Sequence, residues 1–232
     1  MAEIDQSIAV REEILTSIRA HLAASAPFDA LVPAHAPHES LRPDERPEQP
    51  MPLTECLQEA IEAVSGNCTV VQTHQEAARV LGRIIDRTKA RQIAISDAPL
   101  VKAIVAQLTT DAVINQDVRP PELFDYDLGI TGAQWAIAET GTLVLQSQSE
   151  HHRLASLVPP VHVAIVIADR IRRTMAEVLE LIHPANGELS RAVTFITGPS
   201  RTSDIELTLA IGVHGPGELH VIVIDEKGPV RS

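Results

Sequence analysis

The sequence predicts an α/β fold in which a mostly parallel sheet is flanked by helices. From Leu53 onward, short apolar segments alternate with longer segments of helical periodicity, the pattern of successive strand–helix units. Hydrophobic residues make up 44% of the chain, which is sufficient for a full core. A length of 232 residues fits one sizeable domain with a small appendage.

The appendage is predicted at the N-terminus. Aliphatic residues recur every three or four positions between Asp5 and Ala24, which indicates an amphipathic helix within residues 1–26. Residues 27–52 contain seven of the sixteen prolines and therefore favour an extended linker. The main α/β domain is expected to occupy residues 53–232, with the first helix as a detachable arm.

Periodicity and flanking residues assign the elements of the main domain. Helices are predicted over Leu53–Ser65, Glu76–Lys89, Pro99–Leu108 and Arg170–His183. Strands are predicted over Thr69–Gln72, Gln92–Ser96, Ala112–Asn115, Val161–Ala168, Val193–Thr197 and Leu219–Asp225.

Composition excludes several classes of function. A net charge of −12 and an aromatic content of 2% disfavour nucleic-acid binding, because a polyanion would be repelled and bases would find few stacking partners. No apolar run approaches the ~20 residues of a membrane helix, and no signal peptide is visible, so a cytoplasmic location without membrane contact is expected. Two cysteines are too few for an iron–sulfur cluster held by this chain alone.

A polar turn at Gly198–Thr202 is the first candidate site. Ser200, Arg201 and Thr202, placed ahead of an expected helix, offer hydroxyls, a guanidinium and free backbone N–H groups to a carboxylate or phosphate. Asp204 is expected to orient Arg201. The alternative is a Ser/Thr helix cap with Arg201 in a structural ion pair.

The second candidate site is Glu139, which interrupts two apolar runs. Such surroundings raise the pKa of a carboxyl group and suit a general base or a nucleophile. Thr140, Gly141 and Thr142 join it as candidate ligand-binding residues. The alternative is a structural Glu139 that braces its own turn. His214, in a glycine-rich turn, is a further candidate proton carrier, with a plain surface residue as the alternative. No metal site is expected.

Four ordered segments resemble the lactate utilization protein C family, which is built on the LUD domain. They are GIT (Gly129–Thr131), AIAETGTLVL (Ala136–Leu145), SLVPPVHVAIV (Ser156–Val166), and GPSRTSDIE with GVHGP between Gly198 and Pro216. The resemblance covers roughly Gly129 to Asp225. It implies the sugar-isomerase/CoA-transferase-like fold, in which a Glu followed two residues later by Gly acts as the nucleophile of CoA transferases. Glu139 and Gly141 are similar in placement, although the oxyanion-loop glycines of those enzymes are missing here.

The resemblance also implies a role in oxidising L-lactate to pyruvate beside partner proteins that carry iron–sulfur clusters. The chain lacks cluster thiols and any flavin or nicotinamide fingerprint, so it is expected to bind a small carboxylate and no cofactor of its own. In this hypothesis Arg201 binds the carboxylate and Glu139 faces the reacting end, both at the carboxyl edge of the sheet. An acyl- or formyl-transfer enzyme using Glu139, and a non-catalytic regulatory subunit, are the alternatives. The oligomeric state stays open, a homo-oligomer included.

Overall fold

The computed structural model describes residues 14–17, 19–20, 51–148, 153–182, 190–203, 209–211 and 215–227. The chain divides into two compact units, Met1–Pro50 and Met51–Ser232. Residues 14–17 and 19–20 of the first unit are helical and fall within the helix predicted there. All elements labelled below belong to the second unit.

The second unit alternates strands and helices along the chain, as the sequence predicts. The helices are α1 (Leu53–Ala63), α2 (His74–Thr88), α3 (Pro99–Val105) and α4 (Met175–Ile182). The strands are β1 (Asn67–Val71), β2 (Gln92–Ile95), β3 (Val113–Asn115), β4 (Leu128–Gly132), β5 (Trp135–Ile137), β6 (Thr142–Gln146), β7 (Val161–Ile167), β8 (Ile171–Arg172), β9 (Val193–Thr197), β10 (Arg201–Ser203), β11 (Leu209–Ile211) and β12 (Glu218–Ile224).

A six-stranded sheet forms the centre of this unit. Its strand order is β1-β12-β7-β4-β2-β3, and every neighbouring pair is parallel. The predicted α/β class with a parallel sheet is therefore confirmed. The central strands β7 and β12 are mostly apolar and buried because both faces of the sheet are covered.

One face of the sheet packs against α2 and α3. The apolar stripe of α2 includes Ala77, Leu81 and Ile84, which lie in one cluster with apolar side chains of the sheet. Helix α2 begins where Thr73 Oγ1 accepts a hydrogen bond from the backbone N–H of Glu76 at 3.1 Å. It ends at Lys89, whose φ of 55° is left-handed.

The opposite face packs against α1 and a smaller mixed sheet of order β8-β5-β6-β9. Strands β5 and β6 form an antiparallel hairpin, and β6 also pairs antiparallel with β9. Ala136 and Leu143 of the hairpin lie in the same buried cluster as Leu57 of α1. This hairpin presents the turn that contains Glu139.

Two of the predicted elements differ from the structure. The helix expected over Arg170–His183 begins at Met175, because Ile171 and Arg172 instead form β8 and pair with β5. The turn at Gly198–Thr202 does not precede a helix. Residues Arg201–Ser203 form β10, which pairs antiparallel with β11.

The reason for the second difference lies in the sequence. Ile205, Leu207, Leu209 and Ile211 recur at every second position, and this spacing of two is typical of a strand. Among the described residues, no helix N-terminus therefore lies next to this turn, and the helix dipole expected to attract an anion is not found there. None of the helices among the described residues has the length and apolar character to span a membrane.

Candidate ligand-binding site

The two predicted site turns converge on the end of α1. Gly141 has a φ of +65°, and a Cβ placed on it would lie 2.7 Å from the carbonyl carbon of Ala60. Gly198 has a φ of +76°, and its Cβ would lie 2.8 Å from the carbonyl oxygen of Val64. Because Val64 lies only three residues before the start of β1, both turns lie at the amino edge of the parallel sheet. The expectation that they reach the carboxyl edge is wrong.

Three threonine hydroxyls connect the two turns. Thr140 Oγ1 and Thr142 Oγ1 are 2.7 Å apart, and Thr142 Oγ1 is also 2.7 Å from Thr197 Oγ1. Thr142 is buried and pairs directly with Thr197 across β6 and β9. The hydroxyls therefore hold one another in fixed orientation, and the structure brings the predicted Thr140, Gly141 and Thr142 next to the 198–201 turn.

Glu139 lies at the exposed tip of the hairpin rather than in the apolar surroundings that the sequence predicts. Its Oε1 accepts a hydrogen bond from the backbone N–H of Met175 at 3.0 Å. This N–H is one of the donors left unpaired at the start of α4. A carboxylate at a helix N-terminus is favoured by the helix dipole. Glu139 thus joins the hairpin to α4.

Arg201 is also exposed and joins two elements. Its Nη2 donates hydrogen bonds to the carbonyl oxygen of Val64 at 2.7 Å and to the hydroxyl of Ser65. The Val64 carbonyl follows the last turn of α1, where helical carbonyls lack intrahelical partners. Arg201 therefore makes a structural contact with the end of α1, whereas the alternative drawn from the sequence was a structural ion pair.

Behind the 198–201 turn lies a cavity of about 240 Å³. Its wall includes Thr197 and Ser200 from the β9–β10 segment, Pro216 from the segment before β12, Leu219 from β12, and His162 from β7. The backbone N–H of Ser200 donates to the carbonyl of Pro216 at 2.8 Å, which closes the wall on one side. Ser200 is the predicted site residue that lines this cavity.

His162 is a buried polar residue among those that line the cavity. Its side chain is 1% exposed, and Nε2 lies 2.9 Å from Thr131 Oγ1. Nδ1 has no hydrogen-bond partner among the described residues. Burial, together with the charge of His220, lowers the pKa of His162 to about 3, so the imidazole is neutral at physiological pH.

Sequence reasoning did not identify His162. Its signal was a single polar residue at the second position of the apolar strand β7, where every neighbour from Val163 to Val166 is buried. A histidine there requires hydrogen-bond partners inside the protein. Thr131, on the adjacent strand β4, supplies one of them.

The remaining predicted site residues lie at the limit of the described structure. Thr202 is part of the backbone of β10, whereas Asp204 and His214 lie outside the described residues. Among the residues that are described, no group of three or more His, Cys, Asp or Glu side chains is arranged to hold a metal ion.

A larger cavity of about 320 Å³ lies beside β2 and β3. Its wall includes Ala94, Val118 and Leu123 and none of the predicted site residues. The cavity at Ser200 is smaller, but three hydroxyl residues and His162 line it, together with the predicted site turn. We therefore regard the cavity at Ser200 as the candidate binding site.

Comparison with known proteins identifies the family to which this chain belongs. The model of the LUD domain matches residues 54–224. A lactate utilization protein C from Deinococcus radiodurans is 32% identical over 230 residues, which is 97% of this chain and 100% of that protein. Proteins of the same name from Halalkalibacterium halodurans and Bacillus subtilis are 39% and 36% identical over 104 residues, 44% of this chain and 45% and 43% of their own lengths.

A solved structure shares the fold. The crystal structure of a DUF162 family protein from Deinococcus radiodurans superimposes with a TM-score of 0.58 at 25% identity. The match covers 74% of this chain and 96% of that chain.

Proposed function

The chain belongs to the LUD-domain family, and we propose that it serves L-lactate utilization by binding a small organic acid in the cavity behind Ser200. The observation that carries this proposal is the wall of that cavity. Ser156, Thr197, Ser200 and His162 line a volume of about 240 Å³, well above what one water molecule needs. Concave sites with a few convergent polar groups are the usual form of small-molecule sites.

The carboxylate of the acid is placed at the Ser200–Arg201 end of the site. The residues that line the cavity carry no cationic side chain, and an ion buried without a countercharge is strongly disfavoured. Arg201 directly follows Ser200 and uses only Nη2 for its two bonds to α1 among the described residues. Its other N–H groups make no hydrogen bond to the described residues, and we propose that an anion at this end accepts from them.

Glu139 is placed toward the reacting end of the bound acid. Its neighbours Thr140 and Thr142 connect through Thr197 to the cavity wall, which supports this placement. Partner proteins with iron–sulfur clusters would receive the two electrons released when L-lactate becomes pyruvate. We also propose that the α/β fold belongs to the sugar-isomerase/CoA-transferase-like class, as the family resemblance implies.

Calorimetric titration with L-lactate tests the proposal. Ser200→Ala removes one neutral hydrogen bond and is expected to weaken binding about 2- to 12-fold, the equivalent of 0.5–1.5 kcal/mol. Arg201→Ala is expected to weaken binding by about tenfold or more because its bond to the ligand is charge-assisted. Arg91→Ala, at an exposed arginine outside the site, is the matched control and should bind as the wild type does.

Two results would reject the proposal. One is the absence of lactate binding by the wild-type chain. The other is unchanged affinity in both site variants. In a system reconstituted with the partner proteins, Glu139→Gln should bind acid normally and turn over more slowly, because glutamine keeps an oxygen acceptor for Met175 but loses the charge.

A further inference from the structure

We propose that a separate cavity, at the carboxyl edge of the central sheet, binds a phosphate group through Arg170. This cavity shares no lining residue with the cavity behind Ser200, so the site goes beyond the function proposed above. Three features support it: the place of the cavity in the fold, the way Arg170 is held, and the pairing of the charges around Arg170.

The cavity has a volume of about 260 Å³ and lies where the chain leaves three neighbouring strands. Its wall includes Leu100 of α3, the helix that follows β2, then Ala133 and Gln134, which follow β4, and Ile167 at the end of β7. Strands β2, β4 and β7 are adjacent and parallel, so these segments meet at the carboxyl edge of the sheet.

This position is a topological switch point of the sheet. After β2 the chain turns to the face covered by α2 and α3, whereas after β4 it turns to the opposite face, where the β5–β6 hairpin packs. Adjacent strands whose connections leave to opposite faces open a crevice between them, and open α/β sheets bind their ligands in that crevice. The fold therefore places this cavity where such sheets take ligands.

Arg170 supplies a cation to the wall of this cavity. Its guanidinium carbon lies 4.8 Å from the centre of the Trp135 ring, which is a cation–π contact, and Trp135 also lines the cavity. The contact holds the guanidinium in place, and among the described residues Arg170 has no hydrogen-bond or ion-pair partner. A guanidinium has five N–H donors in a fork that matches two oxygens of a phosphate.

Among the described residues, no ion pair balances the arginine charges at Trp135. Arg172 also lies 4.8 Å from the ring centre, and its Nη1 donates to the carbonyl oxygens of Asp169 and Ile171. The Asp169 carboxylate accepts instead from Lys227 Nζ at 2.8 and 2.9 Å. Two guanidinium groups on one ring favour a doubly charged anion. A phosphate monoester carries a charge of about −1.5 to −2 at pH 7, whereas a carboxylate carries a single charge.

The rest of the wall indicates what the phosphate is attached to. The volume is well above what one water molecule needs, so a short carbon body fits beside the phosphate. Apolar side chains of Leu100 and Ile167 and the amide of Gln146 line the cavity. Glycerol 3-phosphate, a three-carbon phosphate monoester, presents both carbons and hydroxyls to such a wall and is therefore the probe.

Trp135 is the chain's single tryptophan, so its fluorescence reports on this site directly. Glycerol 3-phosphate is expected to change the emission saturably, whereas glycerol, which lacks the phosphate, should leave it unchanged. Arg170→Ala should weaken the affinity for glycerol 3-phosphate by at least about tenfold, because charge-assisted hydrogen bonds are lost. Arg170→Lys should lie in between, since lysine keeps the charge but not the fork. Calorimetry measures the same affinities independently of fluorescence.

Arg173→Ala is the matched control, because it removes the same charge three residues along the chain from an exposed arginine outside the cavity wall. It should bind glycerol 3-phosphate within about twofold of the wild type. Inorganic phosphate distinguishes the source of the group. Weaker binding than glycerol 3-phosphate supports a phosphorylated metabolite, and equal binding supports the free ion as the occupant of the same site.

Three results would overturn the proposal. They are the absence of binding by both phosphate probes, unchanged affinity in Arg170→Ala, and equal weakening in Arg170→Ala and Arg173→Ala. Each of them leaves lactate binding behind Ser200 untouched, which Ser200→Ala tests separately.

Discussion

Glu139 and Arg201 each hold two elements together. Glu139 accepts from the first N–H of α4, and Arg201 donates to the carbonyl that follows α1. Residue types and spacing identified both positions as polar breaks in apolar segments. They could not indicate these partners, which lie 36 residues away for Glu139 and 137 residues away for Arg201. His162 was missed because a lone polar residue in a strand does not reveal which distant segments surround it.

Replacing Glu139 by Ala should destabilise the fold. The variant leaves the Met175 N–H without its acceptor, and loss of a helix cap costs about 0.5–2 kcal/mol. Urea denaturation measures this change in the free energy of unfolding. Glu180→Ala, at an exposed position of the same helix, should change it by less than about 0.5 kcal/mol. Equal effects of the two substitutions would show that the Glu139 contact contributes nothing.

Titration of His162 should make stability depend on pH. Its folded pKa of about 3 lies below the ordinary value of 6.5, so the unfolded chain binds the proton more readily between these values. Stability is therefore complete above pH 6.5 and falls as pH decreases, by up to about 1.4 kcal/mol per pH unit down to pH 3.

Urea denaturation at pH 7 and pH 5 measures this loss. The wild type should lose about 2 kcal/mol more between these values than His162→Gln, which cannot take up the proton. An identical loss in both proteins would show that the imidazole is already protonated, or equally accessible to protons, in the folded state.

At the scale of elements, the sequence predicted the parallel sheet better than it predicted the site. Strands such as β2 and β9 were located from short apolar runs bounded by turn residues. Apolar alternation between Ile205 and Ile211 pointed to a strand, but the preceding Ser-Arg-Thr imitates a helix cap and led to the wrong prediction. Both turns lie at the amino edge because of the way the β5–β6 hairpin packs on the sheet. Local sequence patterns do not predict this packing.

Gly141 tests the contact between the hairpin and α1. Alanine at this position is strained at a φ of +65°, and its Cβ would lie 2.7 Å from the Ala60 carbonyl carbon. We expect Gly141→Ala to lower the free energy of unfolding by more than about 1 kcal/mol. The matched control is Gly82→Ala within α2, where the nearest atom is Leu108 Cδ1 at 3.8 Å.

Gly82→Ala should be neutral or stabilising by up to about 1 kcal/mol, since alanine favours the helix. Thermal or urea unfolding of the two variants gives the comparison. If Gly141→Ala is as stable as the wild type, the turn does not pack on α1 as described.

For the whole molecule, the described sheets and cores belong to residues 51–232. Removal of residues 1–50 is therefore expected to leave a cooperative unfolding transition and normal binding of L-lactate. Scanning calorimetry and titration of the shortened chain measure both. Loss of the cooperative transition would show that residues 1–50 belong to the folding unit.

The family of the chain is a further property of the whole molecule. The LUD-domain match places the chain in a family whose relatives include proteins named lactate utilization protein C. Composition alone indicated a chain without a cluster of its own, because two cysteines cannot provide four thiolates. Which partner docks on which surface is not encoded in any motif of the sequence, since such surfaces are assembled from distant segments.

A crystal structure of the full chain with bound L-lactate tests the central claim most directly. The account predicts density for the acid in the cavity behind Ser200, with its carboxylate within hydrogen-bond distance, about 3 Å, of Ser200 or Arg201. Density at the outer face of the Glu139 turn, or in the cavity beside Ala94 and Val118 with the Ser200 cavity holding only water, would contradict it.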